Sequence, residues 1–185
     1  MSAKPLSTGG SPVLVLTGPP GVGKSTTAGI LALRSPRAVH LESDAFFRFV
    51  SSGYVEPWKP ESHEQNRVVM GIVAEAAAGY ATAGYETIVD GILIPGWFLE
   101  PLAEALGGAG HAVACAVLRA PASTCVARVR SREGVPLEAG AVEQLCRSFA
   151  DLGGYERNAI ELDGEEPEEV ADLVSRRLAD GLLAI

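Results

Sequence analysis

The sequence has no long hydrophobic run. None of its segments contains the ~20 consecutive apolar residues that a membrane-spanning helix requires. The apolar run at residues 13–16 is also too short for the hydrophobic part of a signal peptide. We therefore expect a soluble, cytoplasmic protein that does not use a membrane as a partner.

Paired cysteines are missing as well. Cys115, Cys125 and Cys146 are odd in number and form no C-x-x-C pair, which excludes a disulfide framework and argues against a zinc site. We expect them to be buried thiols in a reducing compartment. His40 and His111 adjoin predicted strands and are interpreted as structural residues, because no spacing of histidine, cysteine and carboxylate indicates a metal cage.

Positive charge is scarce. The sequence has 15 Lys and Arg residues and 23 Asp and Glu residues, which gives a formal net charge of -8. Such a surface repels a phosphate backbone, so a general nucleic-acid partner is not expected. Net charge does not describe a single cleft, and a local basic site for one small phosphorylated ligand remains compatible with it.

The overall amino-acid composition is that of an ordinary globular domain. Hydrophobic residues make up 47% and charged residues 21% of the 185 residues. We predict a flexible N-terminus over residues 1–12 and a single domain over residues 13–185. Short apolar runs alternate with segments of helical period, which predicts βαβ units and a parallel sheet.

Five strands and three well-marked helices follow from this pattern. The strands are predicted at Val13–Thr17, Ala38–Leu41, Thr87–Val89, Ala112–Leu118 and about 159–162. The helices are predicted at about 24–33, at about 61–83 and from Pro167 onward. In the long helix, the apolar face is assigned to Val69, Ile72, Val73 and Ala76.

A phosphate-binding motif follows the first predicted strand. The pattern G-x-x-x-x-G-K-[ST] is met at every fixed position by Gly18, Pro19, Pro20, Gly21, Val22, Gly23, Lys24 and Ser25. The glycines let backbone N–H groups wrap an anion, and the following helix N-terminus adds partial positive charge. Lys24 is predicted to reach the β- and γ-phosphates and Ser25 to ligate Mg²⁺. Thr26 is included with them in the ATP-binding set.

Two carboxylates follow neighbouring strands and would meet at the ligand-binding edge of the sheet. Asp90 is predicted to hold Mg²⁺ or to orient a substrate hydroxyl, or else to cap the Gly91 turn. Asp44, which closes the second strand, is the candidate catalytic carboxylate for the attacking hydroxyl. The alternative is that Ser43 or Asp44 caps a helix. Which carboxylate is the base stays open.

A basic helix face precedes a short glycine- and proline-containing segment. Arg128 and Arg132 lie four residues apart and share one face. Guanidinium groups suit triphosphate oxygens and stack on adenine, so Arg128 is predicted to bind ATP and Arg132 to act in catalysis. Residues 131–140 would form a mobile lid that closes and excludes water. The alternative is a solvated basic face.

The aromatic-rich stretch at residues 45–67 is the candidate substrate cap, because binding sites combine aromatic walls with a few polar groups. The candidate acceptor-binding residues are Arg48, Trp58, Arg67 and Trp97. An equally plain interpretation places the phenylalanines in the core under a loop and makes Trp97 a plug at the sheet edge.

With these motifs, the sequence resembles the small P-loop kinases, an AAA-type ATP-binding group that includes shikimate and gluconate kinases and chloramphenicol phosphotransferase-like proteins. The resemblance implies a three-layer α/β/α fold with strand order 2-3-1-4-5. It also implies Mg²⁺-dependent transfer of the ATP γ-phosphate to the hydroxyl of a small molecule, a metabolite or an antibiotic. It makes Asp44 the base and Arg128 and Arg132 the lid arginines, and residues 163–166 would flank the adenine.

Two other functions remain open. The chain could be a nucleotide kinase or a polynucleotide 5′-kinase, although it lacks the long lid of adenylate kinases. It could also be a regulatory NTPase with no phosphoryl acceptor. No guanine-specifying Asn-Lys-x-Asp motif is present, and a switch would not need the aromatic cap. The oligomeric state is not predicted.

Overall fold

The fold is built around one parallel sheet. The computed structural model describes residues 11–131 and 137–185. Its five strands run parallel in the order β2-β3-β1-β4-β5, which confirms the predicted topology. The strands are β1 Val13–Thr17, β2 Ala38–Glu42, β3 Glu86–Gly91, β4 Val113–Arg119 and β5 Ala159–Glu161.

Helices cover both faces of the sheet. In the described residues they are α1 Lys24–Leu33, α2 Ser43–Arg48, α3 His63–Thr82, α4 Leu99–Gly108, α5 Ala122–Arg130, α6 Ala139–Ser148 and α7 Pro167–Ala179. Short 3₁₀ turns occur at Pro60–Ser62 and Gly153–Asn158. None of the described helices combines the length and the hydropathy needed to cross a bilayer.

The central strand β1 shows why the chain forms three layers. All of its residues are buried, and successive side chains point to opposite faces. Val13 and Val15 join the apolar cluster under α3 and α4, whereas Leu14 and Leu16 join the cluster that includes residues of α1, α5 and α7. An uninterrupted apolar run is what a strand covered on both sides requires. The predicted α/β/α architecture is therefore confirmed.

The predicted apolar face of α3 was partly wrong. Val69 and Val73 are buried as expected, but Ile72 is exposed and Met70 takes its place. The buried positions continue to Ala77, so the contact face advances by three or four residues per step. An apolar residue beside such a stripe can lie on the buried or on the exposed face, and packing against the neighbouring elements determines which.

The end of β2 also differs from the prediction. The strand continues to Glu42, and α2 begins at once with Ser43. Asp44 therefore lies in the first turn of a helix and does not close the strand. It is still at the carboxyl edge of the sheet, because β2 pairs with β3 up to the Glu42–Asp90 register position.

Candidate active site

The phosphate-binding loop is held by contacts between backbones. Gly18 and Gly21 have φ angles of 145° and 81°, a region that side chains disfavour. A Cβ atom on Gly18 would lie 2.2 Å from the carbonyl oxygen of Leu118, and one on Gly21 would lie 2.5 Å from that of Cys125. The loop is thus pressed against β4 and α5, and only glycine fits at these positions.

The first turn of α1 is open toward the loop. Gly23, with φ 111°, occupies the N-cap position, and no side chain caps the helix there. The uncapped N–H groups of the first turn of α1, together with the helix dipole, favour the binding of an anion. Lys24 is buried and its Nζ donates a hydrogen bond to the Pro19 carbonyl 3.0 Å away, so the side chain folds back over the loop. Ser25 and Thr26 are exposed beside it.

Asp90 is a buried carboxylate at the same edge of the sheet. Its Oδ1 lies 3.5 Å from Nε2 of His40, and its Oδ2 has no hydrogen-bond partner among the described residues. Burying a carboxylate oxygen without a partner costs free energy, which a bound cation or a hydrogen-bond donor at this atom would offset. The contact with Asp90 raises the pKa of the His40 imidazole, against the lowering effect of burial.

Asp44 is exposed to solvent on the side that lines a cavity, and protein atoms bury the rest of its carboxyl. This burial raises the pKa of the Asp44 carboxyl above its ordinary value, Lys24 lowers it, and the negative charge of Asp90 raises it further. The phosphate-binding lysine and both candidate carboxylates therefore share one local field. The helix-capping alternative is not supported, because Glu42 is at the N-cap and no side-chain cap bond is present.

A cavity of about 590 Å³ adjoins Asp44. Its lining residues are Ser43, Asp44, Phe47, Arg48, Val50, Tyr54, Pro57, Trp58, Met70, Ile92, Leu93, Ile94, Trp97, Phe98, Leu137 and Leu145. Three of the candidate acceptor-binding residues, Arg48, Trp58 and Trp97, are among them. The fourth, Arg67, is not: it pairs with Glu64 at 2.6 Å on the exposed side of α3 and lines a separate, smaller groove.

The predicted cap is anchored by polar side chains of α3 and of the turn before it. Gln65 donates to the Val55 carbonyl at 2.6 Å and accepts from the Val55 N–H at 2.9 Å. Asn66 and Ser62 both donate to the Pro57 carbonyl. These bonds replace the strand or helix that residues 49–59 do not form, and they hold Trp58 at the cavity.

Another wall of the cavity is formed by residues 92–94, which follow β3. Thr17, at the end of β1, exchanges two hydrogen bonds with the backbone of Leu93, at 2.9 and 3.1 Å. This fixes residues 92–94 against the sheet edge beside Asp90. Sequence reasoning missed these residues, although their position directly after a strand-end aspartate was the available signal.

Arg128 lies against the phosphate-binding loop. Its Nη1 donates to the carbonyl of Val22 at 3.4 Å, which keeps the guanidinium near the loop. Arg132 and half of the predicted lid, residues 132–136, fall outside the described residues. On this side of the loop, a groove of about 810 Å³ extends from Pro19 to Asp163. Of the residues that the resemblance places beside adenine, Asp163 lines this groove, and Glu166 forms a capping box with Glu169 at the start of α7.

Comparison with known proteins agrees with this geometry. Residues 13–152 match the AAA_33 family, an AAA domain. No curated protein matches the chain in sequence. Among solved structures, the tunicamycin resistance protein of Deinococcus radiodurans superposes with a TM-score of 0.70 at 21% identity, over 91% of this chain and 95% of that one.

Two further structural neighbours are a gluconokinase from Sinorhizobium meliloti 1021 and a sugar kinase from Janibacter sp. HTCC2649. The gluconokinase has a TM-score of 0.66 and 18% identity, over 92% of this chain and 93% of its own. The sugar kinase has a TM-score of 0.66 and 22% identity, over 93% and 98%. The predicted resemblance to the small P-loop kinases is therefore confirmed at the level of the fold. The chain belongs to the AAA_33 family of AAA domains.

Proposed function

We propose that the protein is a kinase that transfers the γ-phosphoryl group of ATP to a hydroxyl group of a small molecule. The observation that carries this proposal is the position of Asp44. This carboxylate lines the cavity and also lies in the electrostatic field of Lys24, the lysine of the phosphate-binding loop. A donor site and an acceptor cavity that share one carboxylate are what phosphoryl transfer to an alcohol requires.

On the donor side, the backbone of the loop and the first turn of α1 bind the phosphates. Lys24 supplies positive charge to the phosphoryl group in the transition state, and Arg128 adds a second cation beside the loop. The proposal assigns Arg132 to the same transition state, through the lid.

The residues present fit a magnesium ion. Mg²⁺ takes one or two protein ligands and completes its shell with water and phosphate oxygens. Two oxygen atoms are suitable ligands for it: the Oδ2 of Asp90, which has no hydrogen-bond partner among the described residues, and the exposed hydroxyl of Ser25. When bound, Mg²⁺ would neutralise negative charge on the phosphate oxygens.

On the acceptor side, Asp44 orients the attacking hydroxyl. As the acceptor oxygen bonds to the γ-phosphorus, the bond from that phosphorus to the β–γ bridging oxygen of ATP breaks. The hydroxyl proton passes to Asp44, and ADP leaves. Because burial raises the pKa of Asp44, the carboxylate is a stronger base than an exposed aspartate.

The test compares two aspartate variants over a range of Mg²⁺ concentrations. ADP release and ATP binding are measured with a panel of hydroxylated small molecules. We expect Asp44→Asn to bind ATP normally and to lose ~10²–10⁴-fold in kcat at every Mg²⁺ concentration. Asp90→Asn should weaken Mg·ATP binding and require more Mg²⁺.

The matched control is Asp180→Asn. Asp180 is the C-cap residue of α7, far along the chain from the loop, and its replacement should leave the kinetics unchanged.

ATP turnover that no hydroxylated compound increases would favour the regulatory NTPase. Phosphorylation of nucleotides or of polynucleotide 5′ ends alone would favour the second alternative. Rescue of Asp44→Asn, but not Asp90→Asn, by excess Mg²⁺ would reverse the two roles.

A further inference from the structure

The walls of the acceptor cavity are strongly apolar. Of the sixteen described residues that line it, four carry a charged or hydroxyl group, namely Ser43, Asp44, Arg48 and Tyr54. Ser43 is buried against Gly91, where a Cβ atom would lie 1.9 Å from its hydroxyl oxygen. Few polar side chains therefore remain to contact an acceptor.

These polar groups are also confined to one side. Three of them belong to consecutive turns of α2, and Tyr54 is in the loop that follows. The other walls consist of Met70 from α3, residues 92–94 after β3, the Trp97 and Phe98 pair, and Leu137 and Leu145. Among the described residues, one wall thus carries the charged and hydroxyl groups, and the other walls are apolar apart from the indole N–H groups of Trp58 and Trp97.

This distribution is unsuited to a sugar or a sugar acid. Such molecules carry hydroxyl groups around their whole outline, and each one buried against an apolar wall loses its hydrogen bonds to water. An unsatisfied buried polar group costs ~1–3 kcal/mol. Several of them would offset the binding energy that a small acceptor can gain.

The aromatic residues suggest what the cavity accepts instead. The rings of Trp97 and Phe98 stack with centroids 4.2 Å apart. Trp58 and Trp97 nevertheless remain 60% and 42% exposed, an unusual degree for the largest apolar side chains. A planar ring inserted beside them would cover this surface and gain the added attraction of aromatic pairs. A volume near 590 Å³ accommodates a ligand larger than one such ring.

We infer that the phosphoryl acceptor is an alcohol on a largely apolar, ring-bearing molecule, and not a sugar, a polyol or a sugar acid. The hydroxyl lies at Asp44 and Arg48, and the apolar body lies among Trp58, Trp97 and residues 92–94. This inference rests on the proposed kinase function, since it names the acceptor class of that site.

The inferred acceptor class is tested by measuring the binding of four probe molecules to the intact protein by calorimetry. Naphthylethanol and phenylpropanol represent the apolar alcohols, and gluconate and sorbitol represent the polar ones. Titrations are made with Mg²⁺ and a non-hydrolysable ATP analogue, and phosphoryl transfer to each probe is measured separately with ATP. We expect naphthylethanol to bind at least about 10-fold more tightly than gluconate and to be the better acceptor.

Two variants locate the binding. Trp97→Ala should weaken naphthylethanol binding by about 10-fold or more and leave the affinity for the ATP analogue unchanged, whereas Trp97→Phe should retain most of it. Phe49→Ala is the matched control, because Phe49 is an exposed aromatic residue that does not line the cavity. Thermal unfolding of each variant confirms that it is folded.

The outcomes separate this inference from the proposed function. Tighter binding and faster phosphorylation of gluconate or sorbitol would overturn the inference and leave the kinase proposal standing. Failure to bind the ATP analogue and to phosphorylate any alcohol would overturn the kinase proposal. In that case, the affinities for naphthylethanol and gluconate would still show whether the cavity prefers apolar, ring-bearing molecules. Equal binding of naphthylethanol by Trp97→Ala and the unmodified protein would also overturn the inference.

Discussion

Among single residues, Asp44 is subject to two opposing requirements. Its proposed role needs the ionised carboxylate, but burial raises its pKa and so disfavours that form. A carboxyl with a raised folded-state pKa adds stability at pH values below its unfolded pKa, and this stability is lost as the pH rises through the folded pKa. At neutral pH, the ionised Asp44 therefore destabilises the fold.

Asp44→Asn should accordingly raise the melting temperature at neutral pH while it abolishes most of the activity. The gain should stay below about 1 kcal/mol, because solvent reaches Asp44 through the cavity and screens its charge. Thermal unfolding at neutral pH and in acidic buffer checks this, and the gain should shrink as the pH falls. A variant that melts below the unmodified protein at neutral pH would contradict it.

Other single residues explain why part of the site could be predicted from the sequence. The backbone geometry of residues 18–25 was predictable, because it depends on glycines at a fixed spacing. Arg67 was not, because the sequence does not specify which side of α3 packs inward. The neighbouring Asn66 is buried, and Arg67 is turned to solvent beside Glu64.

At the scale of elements, the join between β2 and α2 depends on its neighbour β3. Gly91 ends β3, and Ser43 begins α2 directly against it. A Cβ atom at residue 91 would lie 1.9 Å from the Ser43 hydroxyl oxygen and 3.1 Å from its Cβ. The first turn of α2, and with it Asp44, is thus positioned by the absence of a side chain on the adjacent strand.

Gly91→Ala should destabilise the protein by ~1–3 kcal/mol, the usual cost of overpacking, and should also lower kcat by displacing Asp44. Gly79→Ala is the matched control. Gly79 is in α3, a Cβ atom added there would meet nothing within 4 Å, and alanine should stabilise by ~0.4–1 kcal/mol. Chemical denaturation and steady-state kinetics measure both effects. Equal stability of the two variants would refute the close contact.

The strands were the most predictable elements, because buried parallel strands are read directly as short apolar runs between turns. The cavity was not predictable to the same extent. Its walls combine residues 43–58 with Met70, residues 92–94 and Leu145, which are distant in sequence and meet only in the folded chain. Composition pointed to the aromatic stretch that lines part of the cavity, but the wall at residues 92–94 depends on the hydrogen bonds between Thr17 and Leu93.

For the whole molecule, nucleotide binding should be separable from folding. Lys24→Ala removes one hydrogen bond to Pro19 and should lower the melting temperature of the free protein by less than about 4 °C. In the unmodified protein, an ATP analogue at about 100 times its Kd should add ~2.7 kcal/mol, or roughly 5–10 °C. We expect Lys24→Ala to lose this added stabilisation.

Differential scanning fluorimetry with and without the analogue measures both quantities. Lys59→Ala is a suitable control, because Lys59 pairs with Glu56 at 2.7 Å on the cap surface and takes no part in the loop. A full ligand-induced shift in Lys24→Ala would mean that the loop lysine contributes nothing to nucleotide binding.

The contacts of Gly18 and Gly21 bear on how the two halves of the site can change during evolution. The donor half is shaped by main chain against main chain, at Leu118 and Cys125, and no replacement of a side chain can relax those contacts. The acceptor half is shaped by side chains such as Trp58, Trp97 and Met70, each of which a single codon change can alter. Under the proposed function, descendants of this sequence can therefore acquire new acceptors one substitution at a time while they keep the same phosphoryl donor.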